Sequence, residues 1–178
     1  MSWIESILKS DTKGKEKVTL LAGKLVEGKS AIKDLVEFCK TAKGGDKGHC
    51  VEALTLITEQ NPKMGEYCLA FAMTLLDDKL PRVRWEASHL IGNVAKEFPE
   101  QTAKAIPALL ANAEHEGTVV RWSTATALSE IAKANPKTRA KLVPFFEDKV
   151  QNEENNGVNK IYAKALKVLA KADKPAKR

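Results

Sequence analysis

The sequence predicts an all-α fold in which about four to five helix pairs stack into a right-handed αα superhelix, a solenoid. Three prolines, Pro62, Pro99 and Pro136, recur at a spacing of 37 residues, each after a similar apolar segment. Self-similarity at a period of roughly 20–50 residues is typical of stacked repeats. The apolar residues within each copy recur at helical spacing, and no segment alternates as a strand would. Together these patterns favour a repeat protein built from helices alone.

The period organises residues 1–172 as one domain of successive helix pairs. Residues 1–29 are expected to form N-terminal capping helices. Their apolar stripe either covers the open edge of the first repeat or forms an exposed docking helix, and it contains Trp3, Ile4, Ile7 and Leu8. Repeats are predicted over 30–62, 63–99, 100–136 and 137–172. Residues 173–178 are predicted to form a disordered basic tail.

Composition excludes several classes of protein. Hydrophobic residues make up 43% of the 178 residues and charged residues 29%, which argues against global disorder. No apolar run approaches the roughly 18–20 residues that span a membrane, and the N-terminus lacks a secretory pattern. A cytoplasmic protein without membrane contact is therefore expected. No metal or other cofactor is expected, because the cysteines lack ligand spacing and fit buried free thiols: Cys39, Cys50 and Cys68.

The net charge of +6 is concentrated at the two ends of the chain. Residues 1–43 carry +3, residues 44–81 carry −3 and residues 82–117 carry −1. Residues 118–150 carry +3 and residues 151–178 carry +4. A groove that follows duplex DNA is expected to be basic along its whole length. This distribution therefore disfavours nucleic acid as the partner, although it does not exclude it.

Two segments carry the motif Val-Arg-x-x-small-small-x-apolar-apolar-small-x-apolar. One begins Val83-Arg84 after the acidic pair Asp77–Asp78, and the other begins Val120-Arg121. In this motif the chain resembles HEAT-repeat proteins of the armadillo/HEAT-like α-solenoid group, over roughly residues 30–172. The resemblance implies that Arg84 and Arg121 are structural residues that bridge to an acidic turn of the adjacent repeat. The two flanking copies depart from the motif and lack the arginine.

Outward positions beside these arginines supply the candidate binding site. Trp85 and Trp122 stand one repeat apart, so they can form a ladder that grips a peptide, a partner helix or a flat ring. Alternatively, their indoles pack against neighbouring turns or stack on Arg84 and Arg121. The predicted partner-binding stripe continues along the same helices through Glu86, His89, Asn93, Thr126, Glu130, Lys160 and Lys164. Catalytic motifs and metal-ligating clusters are not recognised in the sequence.

Three functions are compatible with these observations. The first is a non-enzymatic scaffold that binds a protein or peptide along the concave face, with Trp85 and Trp122 as anchors. The second is a DNA-binding or base-repair protein resembling the HEAT-like alkyl-purine DNA glycosylases, in which Trp85, Trp122, Arg84, Arg121 and Glu86 would act. The third is an accessory protein resembling the HEAT-like phycobilin lyases, which rests on fold analogy alone. The sequence favours the scaffold.

Overall fold

The computed structural model describes residues 1–173 and shows helices without any strand in that part of the chain. The helices form two layers. The first layer contains the longer helices, α2 (Gly14–Leu25), α4 (Gly44–Gln60), α6 (Pro81–Val94), α9 (Thr118–Ala134) and α11 (Asn156–Ala172). These pack in chain order, α2 on α4, α4 on α6, α6 on α9 and α9 on α11. The all-α solenoid predicted from the sequence is confirmed.

The second layer is made of shorter and interrupted helices. It consists of α1 (Trp3–Leu8), α3 (Lys29–Thr41), the 3-10 helix Pro62–Tyr67 with α5 (Leu69–Met73), α7 (Pro99–Ala103) with α8 (Ile106–Asn112), and the 3-10 helix Pro136–Thr138 with α10 (Arg139–Asn152). Each of the three periodic prolines is the first residue of a helical segment, where its missing N–H leaves no bond unmade. Asn135 caps such a start, because its side chain accepts a hydrogen bond from the N–H of Lys137 at 3.1 Å.

One continuous apolar core lies between the two layers. Ile57, Val94, Ile131 and Leu169 occupy the same position in four successive long helices, and all four are buried. At the start of the chain, Ile4 and Leu8 of α1 join this core. Each helix pair covers its apolar surface only by stacking on its neighbours, which is why the pairs form one structure.

The long helices approach closely because small residues face one another. A Cβ atom placed on Gly92 of α6 would lie only 3.2 Å from the Cα of Ala127 in α9. The last repeat is different, because Tyr162 occupies the position of Ala87 in α6 and packs against Phe145 and Phe146 of α10. Of the predicted tail, Asp173 lies at the end of α11 and pairs with Arg139, and residues 174–178 lie outside the described part.

Candidate functional site

Four side chains at one position of the repeat bind the turns that connect the two layers. Shifts of 37 or 38 residues relate Lys47, Arg84, Arg121 and Asn159, which lie near the starts of α4, α6, α9 and α11. Lys47 forms an ion pair with Asp78, which lies in the turn of the following repeat. The copy that contains Lys47 lacks the arginine of the motif, and a lysine occupies its place, which the motif alone does not reveal.

Arg84 is held by polar groups of two consecutive repeats. Its Nε donates to the carbonyl of Asp78 at 2.6 Å, and a terminal nitrogen donates to the carbonyl of Asp77 at 3.3 Å. The other terminal nitrogen donates to Oδ1 of Asn112 at 3.0 Å. Asn112 is buried and in turn donates to the carbonyl of Leu76 at 2.7 Å. The acidic turn therefore uses its backbone, rather than its carboxylates, to bind Arg84.

Arg121 forms a two-pronged ion pair with Glu153 of the next repeat. The two nitrogen–oxygen distances are 3.1 and 3.2 Å, and the side chain of Glu153 is only 5% exposed. Burial alone would raise the pKa of Glu153. The hydrogen bonds from Arg121 and from the N–H of Asn155, together with nearby positive charge, outweigh burial and hold that pKa below its usual value.

Trp85 and Glu86 are bonded to each other. The indole N–H of Trp85 donates to Oε1 of Glu86 at 2.9 Å, and Trp85 is half-buried. Burial raises the pKa of the Glu86 carboxyl, and the bond from Trp85 offsets only part of that effect. The expectation that Glu86 projects outward is wrong, because it is only 9% exposed and its carbonyl accepts a hydrogen bond from the hydroxyl of Thr55 in α4 at 3.1 Å. Periodicity placed Glu86 beside the stripe without showing how closely the two helices approach.

Asn93 also lies between helices, although the sequence predicted it to face a partner. It is half-buried, and its amide donates to the carbonyl of Thr55 at 3.2 Å and to the hydroxyl of Thr58 at 3.4 Å. Both acceptors belong to α4. Asn93 thus holds α6 against α4, and its amide is already engaged there.

Trp122 is the exposed aromatic residue of the stripe, with 43% of its surface accessible. The ring of His89 meets it edge-on, with 6.4 Å between the centroids and an interplanar angle of 86°. The contact joins α6 to α9 on the outer side of the long-helix layer. The alternative in which Arg84 and Arg121 stack on the tryptophans does not describe this structure, because both guanidinium groups bind the turns.

A groove continues from Trp122 between α9 and α11. Thr126 follows one turn after Trp122, and its hydroxyl donates to the Trp122 carbonyl at 3.0 Å. The groove has a volume of about 190 Å³ and is lined by Thr126, Ser129, Glu130, Lys133, Ile161, Lys164, Ala165 and Val168. Glu130 and Lys133 form an ion pair on one wall, and Lys160 lies exposed one turn before Lys164.

We use the term long-helix face for the outer surface that carries Trp85, His89, Trp122, Thr126, Glu130, Lys133, Lys160 and Lys164. It offers an indole, an imidazole edge, a hydroxyl and ammonium groups, which suits contact with a polypeptide. Within residues 1–173 no three His, Cys, Asp or Glu side chains lie together as a metal site would need. In the same part of the chain, no helix combines the length and hydropathy of a membrane span.

Similarity to solved structures extends over nearly the whole chain. A designed armadillo repeat protein in complex with the peptide (KR)4 is 23% identical, with a TM-score of 0.75, over 93% of this chain and 80% of that chain. A computationally designed armadillo repeat protein for modular peptide recognition is 24% identical, with a TM-score of 0.67, over 92% and 79% of the two chains. The sequence matches no protein-family model and no curated protein.

A natural protein shares the same architecture. The complex of CpcE and CpcF of phycocyanin lyase from Nostoc sp. PCC7120 contains a chain that is 15% identical, with a TM-score of 0.72. The match covers 91% of this chain and 96% of that chain. Sequence identities this low establish the fold alone. The designed and the natural structures both have the same fold as this chain. The protein is therefore an armadillo/HEAT-like α-solenoid.

Proposed function

We propose that the protein is a non-enzymatic cytoplasmic scaffold that binds a protein or peptide along the long-helix face. The observation that carries the proposal is the exposed indole of Trp122, which is held edge-on by His89. Tryptophan is enriched among the residues that dominate binding energy, because it buries a large rigid surface at little cost in conformational entropy. The proposal involves neither a cofactor nor a catalytic step.

Trp122 is the primary anchor in this proposal, and Trp85 is the secondary one. Trp85 is half-buried and its N–H is already bonded to Glu86, so it offers a partner less surface than Trp122 and no free donor. Trp122 has no such bond among residues 1–173, so its N–H is available to a carbonyl of the partner. The peptide-binding designs described above support the proposal in general terms, since they have the same fold.

The experiment compares wild-type protein with the variants Trp122→Ala and Trp3→Ala as bait in native cell extract, with bound proteins quantified by mass spectrometry. Trp3→Ala is the matched control, because it removes the same side chain from α1 at the far end of the solenoid. Loss of a captured protein by at least ten-fold in Trp122→Ala, with retention in Trp3→Ala, is the expected result. Circular dichroism checks that both variants keep their helix content. Equal capture by all three baits would refute Trp122 as the anchor.

Similarity to the phycocyanin lyase chain supports a second candidate, an accessory role in handling a bilin. That candidate predicts that the purified protein binds a free bilin and changes its visible absorption spectrum. Titration of the protein into a bilin solution measures this directly. A spectrum that stays unchanged at a large excess of protein would leave the scaffold as the better account.

A further inference from the structure

The long-helix face changes its charge from one end of the solenoid to the other. Shifts of 37 or 38 residues place Glu52, His89, Thr126 and Lys164 at one equivalent position of α4, α6, α9 and α11. From α4 to α11, the residue at this position is first acidic, then a histidine, then neutral, and finally basic. The order follows the net charge of the successive sequence segments, which is negative over 44–81 and positive over 118–150 and 151–178.

A second equivalent position shows the same trend two turns further along each helix. It is occupied by Glu59 in α4, Lys96 after α6, Lys133 in α9 and Lys171 in α11, and all four are exposed. The acidic member again lies at the α4 end. Two independent rows of the repeat therefore carry the same polarity.

Internal pairing leaves the positive charge at the α11 end uncompensated. Glu52 is paired with Arg82, and Lys133 is paired with Glu130. Within residues 1–173, Lys160 and Lys164 have no ion-pair partner. Lys164 lines the groove between α9 and α11, and Lys160 lies exposed one turn before it on α11, so a ligand that enters this region meets cationic charge.

Apolar surface lies next to the same lysines. Val168 is 39% exposed and lines the groove between α9 and α11, and Trp122 lies one turn before the groove begins. A ligand that fills this region gains both apolar contact and ion pairs. A basic peptide would place like charges against Lys160 and Lys164.

We propose that the partner segment is an acidic amphipathic peptide that lies across α9 and α11, with its carboxylates at Lys160 and Lys164 and its apolar side chains against Trp122 and Val168. This inference rests on the proposed scaffold function and specifies the partner. Packed helices lie about 8–10 Å apart. A polyproline II chain rises about 3.1 Å per residue with three residues per turn, so one turn advances by about the distance between neighbouring helices. Every third side chain of such a peptide therefore meets the next long helix from the same side.

The experiment uses two labelled nonapeptides that differ only in the sign of their charge. One consists of three Glu-Glu-Leu triplets and the other of three Lys-Lys-Leu triplets. Fluorescence anisotropy measures the binding of each to the full-length protein at about 0.05 M and about 0.5 M salt, where the screening length falls from roughly 14 to 4 Å. A labelled 12-base-pair DNA duplex is titrated in the same way.

The acidic nonapeptide is expected to bind at least ten-fold more tightly than the basic one at low salt, and to weaken as salt rises. The double variant Lys160→Glu/Lys164→Glu is expected to weaken it about ten-fold, because two attractions become repulsions. The matched control is Lys33→Glu/Lys141→Glu, which makes the same charge change on exposed positions of α3 and α10 in the other layer. Its affinity is expected to change by less than two-fold.

Several results overturn the inference. Tighter binding of the basic nonapeptide, binding of neither nonapeptide, or an equal effect of the two double variants would each do so. A duplex that binds more tightly than the acidic nonapeptide, with the same dependence on Lys160 and Lys164, would replace it with nucleic-acid binding. If the basic nonapeptide binds and Trp122→Ala abolishes that binding, the charge polarity is wrong while the scaffold function stands.

Discussion

Replacing Arg121 by alanine is expected to lower the free energy of unfolding by about 3 kcal/mol. The guanidinium donates four hydrogen bonds that join two turns of the solenoid. Two reach the Glu153 carboxylate at 3.1 and 3.2 Å, and two reach the carbonyls of His115 and Glu116, both at 2.9 Å. The turn before α9 is thereby linked to the turn before α11, so the loss falls on the junction between two repeats.

The magnitude follows from how little water reaches this pair. Removing one member of a buried ion pair costs about 3–5 kcal/mol, because the remaining charge stays in a poorly solvated site. Glu153 has a side chain that is 5% exposed, and that of Arg121 is 19% exposed. Glu153 keeps one hydrogen bond, from the N–H of Asn155 at 2.9 Å. That remaining bond and the partial access of water place the expected loss at the lower end of the range.

Urea denaturation followed by circular dichroism measures the loss, and two variants calibrate it. Arg121→Lys keeps the charge but not the two-pronged geometry, so it is expected to lose about half as much. Lys40→Ala removes an exposed ion pair with Glu37, in which both side chains are more than half accessible, and is expected to cost less than about 0.5 kcal/mol.

A double-mutant cycle isolates the interaction itself. The cycle combines Arg121→Ala with Glu153→Ala, and a coupling free energy of at least about 1 kcal/mol is expected for a pair in direct contact. Hydrogen exchange should also speed up first in α10 and α11, since each repeat contacts only its neighbours. Stability of Arg121→Ala within about 0.5 kcal/mol of wild type, or a coupling near zero, would refute this account of the junction.

Three further predictions concern the packing of α6 on α9, the buried hydroxyl of Tyr162, and the loss of stability at acidic pH. Gly92→Val forces a side chain against the backbone of Ala127 and is expected to destabilise the protein by about 1–3 kcal/mol; an unchanged melting temperature would contradict this close approach. Tyr162→Phe removes a buried hydroxyl without a hydrogen-bond partner in residues 1–173, so urea denaturation should show stability equal to wild type or up to about 1 kcal/mol higher, and a clear loss would count against it. Ion pairs hold the pKa values of Glu153 and Asp78 below their usual 4.5 and 3.8 in spite of burial, so the stabilisation is present above those values and is lost as pH falls through the folded-state pKa values. Urea titrations at a series of pH values below 5 measure this loss, and a free energy of unfolding that stays constant there would contradict it.

The repeat could be predicted from sequence because it depends on periodic residues. Any helix pair with an apolar stripe must stack, so the 37-residue spacing of Pro62, Pro99 and Pro136 already specifies a solenoid. Arg84 and Arg121 were equally predictable, since both occur in the motif itself. Lys47 was overlooked because a lysine breaks the motif while keeping the charge, although the same 37-residue shift pointed to it. Comparing charge, rather than residue identity, at each shift would have found it.

The candidate site was less predictable, because helical periodicity gives a direction but not the distance to the next helix. Glu86 and Asn93 share the turns of Trp85 and His89, yet both lie where α6 touches α4. The hydroxyl of Thr55 in α4 donates to the carbonyl of Glu86 in α6 at 3.1 Å, so positions at the edge of the outer stripe become buried between the two helices. Whether a polar residue at such an edge meets a partner or a neighbouring helix depends on inter-helix geometry, which no local pattern encodes.

Arg121 and Trp122 separate stability from binding within two adjacent residues. Consecutive residues of a helix differ in direction by about 100°, so Arg121 reaches the inter-repeat turns while Trp122 lies on the outer face. Replacing Arg121 by lysine should therefore lower the free energy of unfolding and leave the affinity for the acidic nonapeptide within about two-fold. Replacing Trp122 by alanine should weaken the binding of the acidic nonapeptide and leave the free energy of unfolding nearly unchanged. The reason is that 43% of the Trp122 surface is already exposed to water in the free protein. If both variants lost affinity and stability together, the junction and the face would be one coupled element rather than two.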